Sequence, residues 1–155
     1  MLLLPGLCAC ASIYLPPTEG PTAKVRQIRY FADDLSVYTD LDVKIHDVNE
    51  EGCLVNTQKV SKSDQGDLII SANKTVGMSF LGTASLKTAD VSYKATCDTW
   101  LGVEFEADNE YVINVRQNDQ GCNVAVINDR SFMPPVLKNV KSGEDLQGYC
   151  VEGLE

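Results

Sequence analysis

Val37, Thr39, Leu41, Val43 and Ile45 take every second position of one segment, and Tyr38, Asp40, Asp42, Lys44 and His46 take the positions between them. Side chains of an extended chain alternate faces with a period of two, so this segment predicts a strand with one face on a core and the other in water. The same period recurs in Tyr111, Ile113 and Val115 and again in Cys122, Val124 and Val126. Asn118, Asp119, Gln120 and Gly121 lie between those two runs and suit turn geometry, which predicts a β-hairpin with a longer loop. Upstream, Ala89, Val91, Tyr93, Ala95 and Cys97 alternate and lead to Val103 and Phe105, before a polar corner at residues 107–110. Residues 93–127 are therefore the best-specified stretch of the chain.

The remaining segments follow the same grammar. Residues 23–31 predict a strand with a bulge, because Val25 and Ile28 break strict alternation. Turns are expected at residues 32–35 and 49–52, then a strand through Cys53, Val55 and Thr57 that ends near Val60. A polar loop at residues 61–66 precedes a short apolar segment at 67–71, then Val76, Met78 and Phe80 alternate before a turn at 82–87. After Asn128 the pattern fades into a stretch broken by Pro134 and Pro135 and then a polar tail. No long 3.6-residue periodicity occurs, so the fold class expected is all-β: an antiparallel β-sandwich, immunoglobulin-like or transthyretin-like, of about seven to eight strands. A closed barrel is the competing architecture.

Composition narrows the partners. The chain has 155 residues, enough for one domain with its own core, and a formal net charge of -9. Asp and Glu outnumber Lys and Arg by 22 to 13, which argues against nucleic acid, since a binder must supply cations to replace phosphate counterions. The same imbalance disfavours a basic patch on anionic lipid. An acidic surface of this kind keeps a protein soluble and leaves a basic protein partner open.

Six cysteines bear on compartment. Cys8 and Cys10 lie in an apolar N-terminal run, while Cys53, Cys97, Cys122 and Cys150 are scattered through the body without the close pairs of a structural zinc site. An even, scattered set fits an oxidising compartment and two disulfides. Four cysteines allow three pairings. The favoured one joins Cys97 to Cys122, which flank the well-patterned strands, and leaves Cys53 with Cys150.

The N-terminal run MLLLPGLCACAS is too short to span a bilayer as a helix and looks like the end of a secretory signal. Leu7-Cys8-Ala9-Cys10 resembles a bacterial lipobox, with a leucine three positions before a cysteine and a small residue directly before it. Cys10 would then be the acylated residue; Cys8 suits less well because Leu7 before it is bulky. Residues 13–21 hold three prolines and a glycine and are expected to form a semi-extended tether. With the Gly20-Pro21-Thr22-Ala23 approach to the first strand and the late pattern Cys97, Phe105, Tyr111, Cys122, the chain resembles small outer-membrane lipoproteins of Gram-negative bacteria. The resemblance implies residues 1–9 as the end of a signal peptide, 10–21 as lipidated cysteine and tether, and 22–155 as a single domain. It also implies attachment to outer-membrane lipid through acylated Cys10, on the periplasmic face, since Ala11-Ser12 lacks an inner-membrane retention aspartate.

Catalytic constellations are scarce. His46 is the only histidine, so neither a histidine triad nor a multi-histidine metal site forms within one chain, and its place beside Lys44 predicts a solvated side chain. No Gly-x-Ser-x-Gly elbow or phosphate-cradling glycine loop is present. Asp40 and Asp42 share a strand face but lack the glutamate and glycine of a calcium loop, so no metal or cofactor is expected. Trp100, the only tryptophan, is expected to anchor the core near Cys97. The candidate partner-facing residues are Tyr38, Asp40, Asp42 and His46. The function expected is a non-enzymatic scaffold or adaptor lipoprotein with a protein partner not specified by sequence; the alternative is an acidic module that captures or inhibits a basic protein such as a lysozyme-type hydrolase.

Overall fold

The computed structural model describes residues 12–32, 38–87, 90 and 92–140. Cys8, Cys10 and Cys150, and the turn expected at 32–35 apart from Ala32, lie outside the described residues. Ten strands run in order among the described residues: β1 (Ser12–Ile13), β2 (Thr22–Ala32), β3 (Tyr38–Val48), β4 (Leu54–Lys59), β5 (Leu68–Ser71), β6 (Thr75–Lys87), β7 (Ser92–Glu104), β8 (Glu110–Asn118), β9 (Gly121–Asn128) and β10 (Val136–Lys138). The only helical element among the described residues is a 3-10 turn at Asp64–Gly66. The strands form two open sheets, one ordered β1-β4-β3-β6-β7-β10 and the other β5-β2-β8-β9. All-β with two sheets is as expected, and a closed barrel is ruled out by the free ends of both sheets.

The core lies between the sheets and is filled by the apolar parity of each strand. Leu41, Val43 and Ile45 of β3 and Val76, Met78 and Phe80 of β6 meet Val25 of β2 and Tyr111, Ile113 and Val115 of β8. Fully burying a side chain of this size contributes roughly 1.5–3 kcal/mol, so the alternation itself specifies which face turns inward. The bulge expected in β2 is present: its register with β8 slips between Val25 and Gln27, which carries Ile28 back to the inner face. Phe105 and Tyr111 close one end of the core edge to face, with ring centroids 5.0 Å apart, and the Tyr111 hydroxyl accepts the Glu106 N–H at 3.0 Å.

Several expectations are corrected. Among the described residues the strands number ten rather than seven or eight, and the pairing is mixed: β2 runs parallel to β8 and β1 parallel to β4. The loop between β8 and β9 is short, since Asn118 pairs with Gly121 and leaves only Asp119 and Gln120 in the turn. Gly121 takes φ +121°, and the Asn118 side-chain oxygen accepts the Gln120 N–H. Residues 82–87 do not turn; β6 continues to Lys87, paired with β7 through Lys87 and Ser92. The expected tether is docked at its start: β1 pairs with β4, and Tyr14 is 8% exposed with its hydroxyl donating to the Ile69 carbonyl at 3.1 Å.

One disulfide lies within the described residues, between Cys97 of β7 and Cys122 of β9, with Cα atoms 5.5 Å apart. That is the favoured pairing, and it ties one sheet to the other. Cys53 is buried at 1% exposure at the start of β4, and its expected partner Cys150 lies outside the described residues, so only one of the two expected bridges is described.

Candidate functional site

The expected partner face is the outer face of the larger sheet, where β3 presents Tyr38, Asp40, Asp42, Lys44 and His46. Tyr38 stands in solvent at 64% exposure. Asp40 and Asp42 are not free carboxylates. Lys62 Nζ lies 2.7 Å from Asp40 Oδ1 and 3.4 Å from Asp42 Oδ1 and also donates to the Leu41 carbonyl, while Lys59 Nζ lies 3.4 Å from Asp42. Partial burial favours the neutral acid of Asp42, but the charges and hydrogen bonds of Lys62 and Lys59 outweigh it and hold the carboxyl below its ordinary range. Lys62 responds in kind: burial opposes its charge, but the hydrogen bonds and charges of Asp40 and Asp42 together outweigh burial and raise its pKa.

His46 is not solvated. It is 8% exposed, with Nδ1 2.9 Å from Thr57 Oγ1 and Nε2 2.7 Å from Ser79 Oγ. Glycine at position 77 makes room for this: a Cβ there would lie 2.3 Å from Leu54 Cδ2 and 3.1 Å from His46 Cβ, so Leu54 folds over the sheet where Gly77 has no side chain. Burial first, and the Lys44 charge second, push the imidazole down to about 4, which keeps it neutral near pH 7. Its two ring nitrogens are both occupied by hydroxyls, an arrangement that fixes the ring and leaves no lone pair directed at a substrate.

Trp100 is half-buried and sits opposite Ser79 on the same outer face, outside the core cluster. Its parity explains the difference from expectation, since Cys97, Leu101 and Val103 of β7 turn inward and Trp100 falls between them. Among the described residues no three His, Cys, Asp or Glu side chains come together as metal ligands. No helix among them is long and apolar enough to cross a membrane.

A second constellation lies on the outer face of the smaller sheet, and sequence reasoning missed it. The parallel register of β2 on β8 places Arg29 beside Asn114 and Phe31 beside Arg116; β9 adds Ala125 opposite Asn114 and Asn123 opposite Arg116. These side chains line an open hollow of about 400 Å³. The Arg116 guanidinium carbon lies 5.9 Å from the centroid of the Phe31 ring, which is 40% exposed. Arg29 donates to Gln27. Neither arginine has a carboxylate within ion-pair distance among the described residues, whereas Lys24, Arg26, Lys59, Lys62 and Lys138 all do. The Asn114 side-chain oxygen is buried there without a hydrogen-bond partner. The available signal was the alternation Arg29, Phe31 on one strand and Asn114, Arg116 on another, which becomes a cluster only once the two strands pair. No protein-family model, curated protein or solved structure matches the chain.

Proposed function

We propose that the chain is an exported, non-enzymatic lipoprotein, anchored through acylated Cys10 in the outer membrane and facing the periplasm, whose domain serves as a scaffold or adaptor in an envelope or secretion assembly. Its two sheets are read as a β-sandwich of the immunoglobulin-like or transthyretin-like kind. The observation that carries the reading is the Cys97–Cys122 bond, because a disulfide that staples one sheet to the other belongs to an oxidising compartment. The lipobox-like Leu7-Cys8-Ala9-Cys10 supplies the anchor, and several acyl chains together give stable attachment.

Docking of β1 alters the tether part of this reading. Only Ala11 separates Cys10 from Ser12 of β1, so two Cα–Cα steps of about 3.8 Å each bound the distance between the anchor and Ser12. An anchored domain would therefore be held with its β1 and β4 edge close to the bilayer, where Ile13 and Leu15 are 65% and 75% exposed. The alternative, capture of a basic protein, draws no support from Asp40 and Asp42, whose charges Lys62 and Lys59 already balance.

Fractionation of cells expressing the chain and its Cys10→Ala variant tests the reading. Membrane association with an acyl-sized mass increment is expected for the parent and loss of both for the variant. A variant that stayed in the membrane at unchanged mass would overturn it.

A further inference from the structure

The hollow on the outer face of β2, β8 and β9 brings two arginines together in an acidic molecule. In a chain of net charge -9, two arginines stand there without carboxylate partners among the described residues. Arg29 and Arg116 lie on adjacent strands two positions apart in register, which puts their Cα atoms roughly 8 Å from each other, within reach of one shared anion. Like charges this close, with no counter-charge, repel; an anion between them removes the repulsion and gains charge-assisted hydrogen bonds. Between the arginines the Asn114 oxygen is buried without a donor, and such a group is costly unless something supplies one. The Phe31 ring and Ala125 give the hollow an apolar wall.

We propose that this hollow binds a carboxylate with a neighbouring N–H donor on a partly apolar body, the chemistry of an N-acylated amino acid. The carboxylate lies between the Arg29 and Arg116 guanidiniums, the apolar side chain packs on Phe31, and the exposed side chains beside Asn114 shift to admit the N–H to its buried Oδ1. Two sources share this chemistry: a free N-acyl amino acid, and the C-terminal residue of a protein, which presents a carboxylate and a backbone N–H in the same relation. The site is independent of the anchoring reading, since it uses neither Cys10 nor the outer face of the larger sheet.

The test is a titration of the purified chain followed by NMR, with four probes: N-acetyl-phenylalanine, its carboxamide, a longer peptide ending in free phenylalanine, and that peptide amidated. Shifts of the Asn114 side-chain amide and the Arg116 Nε–H are expected with both free acids, weakening with salt, and the amides are expected to bind about tenfold or more weakly. Arg29→Gln and Arg116→Gln, both at exposed positions, are expected to weaken the acids by a similar factor while the spectrum elsewhere stays that of the folded chain. Tighter binding of the peptide than of the small acid assigns a protein terminus; equal binding assigns the small acid. Amides that bind as well as acids, glutamine variants that bind as the parent does, or no shift with any probe at millimolar concentration would each overturn the proposal.

Discussion

The ring of Tyr30 occupies the space that a side chain at Gly82 would need: a Cβ built on Gly82 would lie 2.6 Å from Tyr30 Cε2 and Cζ. Tyr30 belongs to the smaller sheet and Gly82 to the larger, so the contact sets how closely the sheets approach beside the Cys97–Cys122 bond, since Gly82 pairs with Cys97. The tyrosine is held from its other end, donating to Gln117 Oε1, whose amide in turn donates to the Thr96 carbonyl across the sheets. Gly82→Ala is expected to destabilise the fold by about 1–3 kcal/mol through overpacking. Denaturant unfolding checks this, and combining it with Tyr30→Leu should recover part of the loss, because the two residues share one contact. A neutral Gly82→Ala would show that the ring moves aside freely.

The same glycine explains why the turn expected at residues 82–87 is a strand. From sequence, a glycine among polar residues reads as punctuation; in the sheet it is the position where a ring from the facing layer comes to rest. What was legible is what local alternation encodes: the inward face of β3, the β2 bulge, the β8–β9 hairpin and the cysteine pairing between its neighbours. What was not legible depends on partners distant in sequence. The parallel pairing of β2 with β8 cannot be read from either strand alone, and the Arg29, Phe31, Asn114 and Arg116 cluster exists only through that pairing. His46 looks solvated by parity, and its burial comes from neighbours distant in sequence, Thr57 and Ser79 at its ring nitrogens and Leu54 lying over Gly77. Trp100 was readable after all, since its parity with Asp98 already set it opposite to Cys97.

The pH dependence of stability should carry the signature of His46. Its folded-state pKa is about 4, below the ordinary 6.5, because burial and then the Lys44 charge oppose protonation. Between these values the unfolded chain binds the proton and the folded chain does not, so the contribution is complete above pH 6.5 and is lost progressively as pH falls toward 4. With allowance for solvent at one edge of the ring, the loss is on the order of 1–3 kcal/mol. Carboxylates also titrate in this window, so the measurement is the difference between the parent and His46→Gln. Identical pH profiles for the two would exclude the effect.

Tyr14 reports whether β1 is docked. Burial first, and the Asp47 charge second, raise its phenol to about 12. A raised folded pKa gives stability that is present below the ordinary value of 10.0 and lost as pH climbs through 12. Burial raises the Tyr30 phenol as well, so ultraviolet titration should show late-ionising tyrosine absorbance from which Tyr14→Phe removes the step near 12. The same substitution deletes the hydrogen bond to Ile69 and should cost about 1 kcal/mol. A free tether would leave Tyr14→Phe without effect on stability and would take the lost phenol from the ordinary tyrosine range rather than from the step near 12.

Reduction should act on the junction of the two sheets. The Cys97–Cys122 bond closes a sequence separation of 25 residues, for which chain entropy gives a stabilisation of about 3–4 kcal/mol. A Cys97→Ser, Cys122→Ser double variant is therefore expected to unfold at markedly lower denaturant. Hydrogen exchange should quicken first in β9, an edge strand that pairs with β8 alone. Uniform quickening over all strands would argue instead for a purely global loss.

Lys62 separates local electrostatics from stability. Its ammonium bridges Asp40 and Asp42 and donates to the Leu41 carbonyl, which also accepts from Gln65 Nε2 at 3.1 Å, so one side chain fastens the loop after β4 to the middle of β3. Lys62 and Asp40 side chains are 52% and 42% exposed, and pairs so open to water contribute little after screening and side-chain entropy. Lys62→Met is expected to reduce stability by only about 0.3–1 kcal/mol. The carboxyl of Asp42 should respond more clearly, because Lys62 is the largest of the influences that lower its pKa. NMR titration of the Asp42 carboxyl should show its midpoint moving upward in the variant, with Lys59 left as the remaining cation. An unmoved midpoint would mean that Lys59 alone holds the charge. A stability loss well beyond this range would mean that the Leu41 hydrogen bond, rather than the ion pairs, is what Lys62 contributes.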